Sequence, residues 1–171
     1  ATTGQFTSIS VSHPTTGIVN LAASGVGNIG AAGATFNTVF AKATTAQYAD
    51  LAENYEADAQ YEPGTVLEFG GDFDVTISNS SHDSRVAGVI STNPAYLMND
   101  NFEHDTWVPV ALTGRVPCKV TGPVRKGDIM VSAGNGYAIA NNTPVLGSII
   151  GKAIADNNDQ FGIIEVVVGR Y

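Results

Sequence analysis

From residue 60 onward, short apolar or alternating runs recur between strong turn formers. The runs are Thr65–Phe69, Asp74–Ile77, Arg85–Ile90, Trp107–Leu112, Val116–Val120, Ile129–Ser132, Tyr137–Ala140, Ser148–Ala153 and Gly162–Val168. Between them stand Pro63-Gly64, Gly70-Gly71-Asp72, Asn93-Pro94, Lys126-Gly127-Asp128, Gly134-Asn135-Gly136 and similar turn sequences. β-branched runs of this length, cut at this spacing, predict strands of a compact β-sandwich or barrel-like domain over residues 60–171. About 110 residues are enough to bury a core of their own. The run Ile163–Val168 reads as a largely buried strand near the C-terminus, with Gly169-Arg170-Tyr171 packed after it as a chain end.

Residues 46–59, AQYADLAENYEADA, change period. Tyr48, Leu51, Ala52 and Tyr55 fall at i, i+3, i+4 and i+7, one face of a helix, with Asp50, Glu53 and Glu56 on the other side. The spacing predicts a short helical junction. Three Ala-rich turns are marginal alone, so tertiary or inter-chain packing has to hold it.

Residues 1–45 are a third kind of sequence, rich in Ala, Thr, Ser, Gly, Val and Asn. Apolar residues, from Phe6 and Ile9 to Phe36, Val39 and Phe40, punctuate it every few positions. Strand-like pieces at Thr7–Ser12, Gly17–Leu21 and Thr35–Phe40 alternate with turns at Gly25, Gly27, Gly30 and Gly33. No strict internal period is visible. Such pieces are too short and small-sided to bury a core alone. They form either a flexible Gly/Ser-type linker or a β structure completed by other copies wound round a shared axis.

Charge follows the same division. Residues 1–49 carry one charged side chain, Lys42; residues 50–105 carry twelve acids and one base, Arg85; residues 106–171 carry four acids and six bases. The net charge of −8 argues against a general phosphate-binding surface, and so against nucleic acid. Charged residues are only 14% of the chain, which therefore depends little on surface charge for solubility. The single cysteine, Cys118, excludes an internal disulfide framework and an all-cysteine metal site. No apolar run approaches the ~18 residues of a membrane span, and no basic-then-apolar signal segment opens the chain. A start at Ala1 without Met is expected of a fragment or a processed product.

The search for chemistry returns candidates rather than a site. His82-Asp83-Ser84-Arg85 puts three hydrolase residue types side by side. A triad is assembled in space rather than by adjacency, and no Gly-x-Ser-x-Gly elbow is present, so a polar hairpin tip is expected. Cys118 sits inside an alternating run and reads as a buried thiol. His104 among Asp100, Glu103 and Asp105 could meet a hard cation, and His13 beside Pro14 could meet its copies on a symmetry axis. Neither has a recognised ligand spacing, and no metal or cofactor is expected. The eight acids from Asp50 to Asp74 read as a solvated face, or as a patch that meets basic residues such as Lys119, Arg125 and Lys126 within an oligomer. Gly25-Val26-Gly27-Asn28-Ile29-Gly30 matches a Gly-x-Gly-x-x-Gly pattern but lacks the strand-then-helix setting that gives it meaning. Tyr96, Phe102 and Trp107 could stack on a sugar, while core packing is expected for Trp107.

Gly30–Phe40 followed by AKATTAQYADLAENYEADAQYEPGTVLEFGG resembles the junction of bacteriophage fibre proteins, where a thin β shaft runs into a compact C-terminal domain. RVAGVISTNPAYLMN, VPVALTGRVPCKV, VRKGDIMVSAGNGYA, GSIIGKAI and GIIEVVVGRY fit the same type, so the resemblance covers roughly residues 25–171. YADLAENY and VALTGRVPCKV are its most specific parts. A more distant similarity, through Gly88–Pro94, is to the autoproteolytic chaperone domain of phage neck-appendage proteins. This chain departs from those domains at AYLMND, after Pro94, and no catalytic residue carries over.

The resemblance implies a non-enzymatic tail-fibre protein of the virion, a homotrimer that touches other virion proteins and a host surface glycan or receptor. The expectation is all-β: an intertwined trimeric shaft over 1–45, a helical junction over 46–59 and a β tip over 60–171. Phe36, Val39 and Phe40 of the shaft, with Tyr48 and Leu51 below them, are the expected trimer interface. The alternative is a self-cleaving intramolecular chaperone domain that templates the trimer.

Overall fold

The computed structural model describes residues 48–100 and 106–169, together with positions 21, 29, 34, 36–39 and 46. The chain divides into two compact units, Ala1–Thr44 and Thr45–Tyr171. The shaft strands expected before residue 41 lie almost wholly outside the described residues, as do His13 and Phe40.

The second unit is all-β. Its strands are β1 (Asp50–Glu56), β2 (Val66–Phe69), β3 (Val75–Ile77), β4 (Val86–Ile90), β5 (Tyr96–Met98), β6 (Trp107–Thr121), β7 (Ile129–Gly134), β8 (Tyr137–Ala140), β9 (Ile149–Ala153) and β10 (Phe161–Val168). Five of them close a barrel in the order β6-β10-β9-β7-β8, with β8 returning to β6 through a parallel contact at Val120 and Ala138. Closure removes the open edges that an isolated sheet would expose. Val116, Cys118 and Val120 of β6, Met130 of β7, Ile150 of β9 and Ile164, Val166 and Val168 of β10 fill the interior.

The long strand β6 belongs to two structures. Its second half lies in the barrel against β10. Its first half pairs with β1 on one side and β4 on the other, and β4 leads on to β2 and β3. This arm has a second core of Ala57, Leu67, Val75, Ala87, Ile90, Val108 and Val110. Neighbouring residues of β2 thus serve different cores, Val66 the barrel and Leu67 the arm. A strand buried on both faces needs no polar alternate, which explains the continuous VAGVI of β4.

Three expectations are corrected. Residues 50–56 form a strand, not a helix. β6 pairs along all of β1 and β5 along its first half, so a helix there would strand the backbone groups of β6 and β5. Short-range propensity yields to those pairings. Next, Trp107–Leu112 and Val116–Val120 are parts of one continuous strand, with Gly114, at φ +116°, inside the ladder between the two expected runs. Finally, Ile163 and Val167 are exposed, since a barrel strand has one core-facing side and only Ile164, Val166 and Val168 use it. The turn at Asn135-Gly136 is as expected: both residues have positive φ and join β7 to β8 as a two-residue loop.

Candidate functional site

The polar stretch before β4 is pinned at several points. The Ser132 hydroxyl on β7 donates to the Ser80 carbonyl (3.0 Å) and accepts from the Asp83 amide (2.9 Å). His82, at φ +60°, donates its amide to the Ser132 carbonyl (2.8 Å), and its ring Nδ1 lies 2.8 Å from the Ser81 hydroxyl. The Arg85 guanidinium donates to Asp83 at 2.8 and 3.1 Å and to Glu68 at 2.9 Å. Glu68 is buried, and its second oxygen accepts the Asn79 amide.

This geometry is a clasp. The Arg85 side chain, and then its amide, hold the Asp83 carboxyl below the usual aspartate range, while Asp83 chiefly, with Glu68, pushes Arg85 up. An aspartate spent on a guanidinium two residues away does not orient the neighbouring imidazole. His82 and Ser84 therefore do not form a relay with Asp83. These residues build a loop between β3 and β4, held to the barrel at Ser132 and to β2 by the Arg85–Glu68 pair.

Ser84 faces a different feature, a cleft of about 200 Å³ between the arm and the barrel. Its walls are Val86, Ala111 and Leu112 on one side and Gly147, Ile149 and Val168 on the other. At that volume it falls short of the roughly 300–1,000 Å³ of ordinary small-molecule sites, and no titratable side chain lines it.

The other sequence candidates scatter. Cys118 is fully buried in the barrel, and burial pushes its thiol up to about 12, which removes it as a nucleophile. Phe102, Glu103, His104 and Asp105 lie outside the described residues; Asp100 is exposed. Among the described residues no group of three His, Cys, Asp or Glu could hold a metal ion. Tyr96 is exposed on β5 and Trp107 half-buried at the start of β6. Of the expected interface residues, Phe36, Val39 and Tyr48 are exposed and Leu51 is half-buried on β1.

The cations are redistributed as well. Lys119 is committed within the chain to Glu62 and the Thr65 hydroxyl, both at 3.1 Å, and Arg125 sits 3.9 Å from Asp156. Sequence reasoning passed over Arg115 and Lys152, which are exposed and have no ion-pair partner among the described residues. Alternation along β6 and β9 places both outside the barrel, which is a signal only once the strands are known.

A closed five-strand barrel carrying a β arm along the first half of β6 is the fold that these residues define. Among solved structures, the chain is similar to pre-mature bacteriophage phi29 gene product 12, with TM-score 0.58 and 13% identity, covering 78% of this chain and 23% of that one. It is also similar to the C-terminal fragment of phi29 gene product 12, with TM-score 0.52 and 15% identity over 70% of this chain and 99% of the fragment. The N base of the phi29 head fiber gp8.5 gives TM-score 0.40 and 15% identity over 69% of this chain and 92% of that chain. No protein-family model matches the sequence, and no curated protein matches it. At these identities the likeness to the two gene product 12 structures shows a shared fold and nothing more.

Proposed function

We propose that the chain is a structural, non-enzymatic phage virion protein, a trimeric fibre whose β domain is presented for host contact or for fibre assembly. The fold shared with gene product 12 supports the virion reading. The observation that carries self-assembly is the first unit itself. Leu21, Ile29, Phe36 and Val39 are 94%, 86%, 64% and 75% exposed in the lone chain. Large apolar side chains that recur in solvent on a nearly uncharged segment need cover, and identical copies are its nearest source. Three copies place three identical barrels on one stalk, so weak contacts combine through effective concentration.

Sedimentation of the full chain tests this: a trimer is expected, and a lone chain at micromolar concentration refutes it. Phe40→Asp is expected to abolish the trimer while leaving the β domain folded; a trimeric Phe40→Asp variant removes that residue from the interface.

A self-cleaving assembly domain is the second reading, favoured by the likeness to a pre-mature form and to a C-terminal fragment of gene product 12. Mass spectrometry of the freshly made chain with its natural upstream sequence separates the two. A break near Asp83-Ser84 or Asn93-Pro94 supports cleavage; one intact species rejects it.

A further inference from the structure

Two faces of the β domain are apolar, exposed and opposite in charge. On the outer side of β10, Phe161 and Ile163 are 57% and 63% exposed, and Val167 follows them on the same side. Val167 is paired with Arg115 of β6 and with Lys152 of β9, so an exposed cation stands on either side of it. The carboxylate of Glu165 is the one acid on this side of β10.

The second face lies where the arm's β2–β3 turn meets β1. Tyr55 and Phe69 pack edge to face with ring centroids 5.7 Å apart. Phe73 is exposed between Asp72 and Asp74, and Asp74 accepts the Glu56 amide, which ties the turn to the end of β1 beside Tyr55. Asp72 has no ion-pair partner among the described residues, and the cation nearest in sequence, Arg85, is spent on Asp83 and Glu68.

We infer that these faces dock on one another between copies, the β10 face of one chain against the Phe69–Phe73 face of the next. Each face supplies what the other lacks, aromatic and aliphatic surface at the centre and charges of opposite sign at the rim. If β10 packed instead on its own counterpart, Arg115 and Lys152 would meet their equals with only Glu165 to offset them. A contact between two different patches is head-to-tail and closes into a ring when the rotation allows. The inference rests on the trimeric reading proposed above and adds the surfaces through which the barrels meet.

The test uses the full chain with Ile163→Cys and Phe73→Cys, singly and together, treated with a flexible bis-maleimide at low protein concentration. Cys118 stays silent because it is buried. The double variant is expected to give a ladder of linked chains on a denaturing gel, and each single variant none. Arg115→Glu with Lys152→Glu is expected to abolish the ladder, and adding Asp72→Lys with Asp74→Lys in the same chain to restore it. A ladder from Ile163→Cys alone means that β10 meets β10, and overturns the inference. So does a trimer by sedimentation whose double variant does not link, while the trimeric reading stands. A lone chain by sedimentation overturns both.

Discussion

Gly114 is where the arm is fastened to the barrel, and replacing it separates steric from conformational cost. The residue takes φ +116°, a region that side chains rarely enter. A Cβ there would run into the Ala49 carbonyl oxygen and come within 2.5 Å of the Asp50 Cα, both backbone atoms of the chain leading into β1. Gly122 is the control: its φ is +71°, and a Cβ there meets nothing within 4 Å. Gly122→Ala is expected to cost about 1 kcal/mol, the conformational penalty alone. Gly114→Ala adds the overlap with a backbone that has nowhere to go, about 1–3 kcal/mol more, for a total of about 2–4 kcal/mol. Urea unfolding at fixed protein concentration measures both. Trp107, the single tryptophan, stands opposite Glu56 in the β1–β6 pair and reports that pairing by fluorescence. Faster amide exchange in β1 than in β10 should accompany the loss in Gly114→Ala. If the two variants cost the same, β1 does not approach β6 as closely as described, and the strand assignment for 50–56 falls with it.

Cys118 is expected to ignore a soluble disulfide reagent at pH 8 in the native chain and to react fully in denaturant; rapid native reaction would mean an open barrel. Acid is expected to weaken the fold through two aspartates. Asp83, held down by Arg85, and Asp128, held down by the Asn142 side chain and then the Arg125 amide, bind protons less readily folded than unfolded. Their contribution is present above about pH 4 and is lost as the pH falls below that. The variant Asp83→Asn with Asp128→Asn should show a shallower fall in melting temperature between about pH 5 and pH 3 than the parent chain. An unchanged slope rules those two groups out.

Much of the β domain is legible in the chain because the information is local. The Asn135-Gly136 pair requires two positive φ angles, and a hairpin turn is where such a pair is at rest. The strands Val66–Phe69, Ile129–Gly134 and Ile149–Ala153 are β-branched or aliphatic runs cut short by turn formers. The thiol of Cys118 was readable as buried because its neighbours alternate. What eluded sequence reasoning depended on partners far along the chain. Residues 46–59 carry a helical spacing, yet β6, more than fifty residues later, takes 50–56 of them into its ladder. The three-residue β5 is a strand only because β1 lies beside it.

The same distinction governs the surface. By itself, the order of residues determined an all-β unit, a nearly uncharged opening segment and an acidic block next to it, since composition and periodicity belong to each stretch alone. Tertiary structure decided that Glu62 spends Lys119, that Asp83 and Glu68 spend Arg85, and that Arg115 and Lys152 remain free on either side of Val167. Pairing across a closed barrel brings distant positions to one face, and nothing in the neighbourhood of any one residue records which partner will arrive.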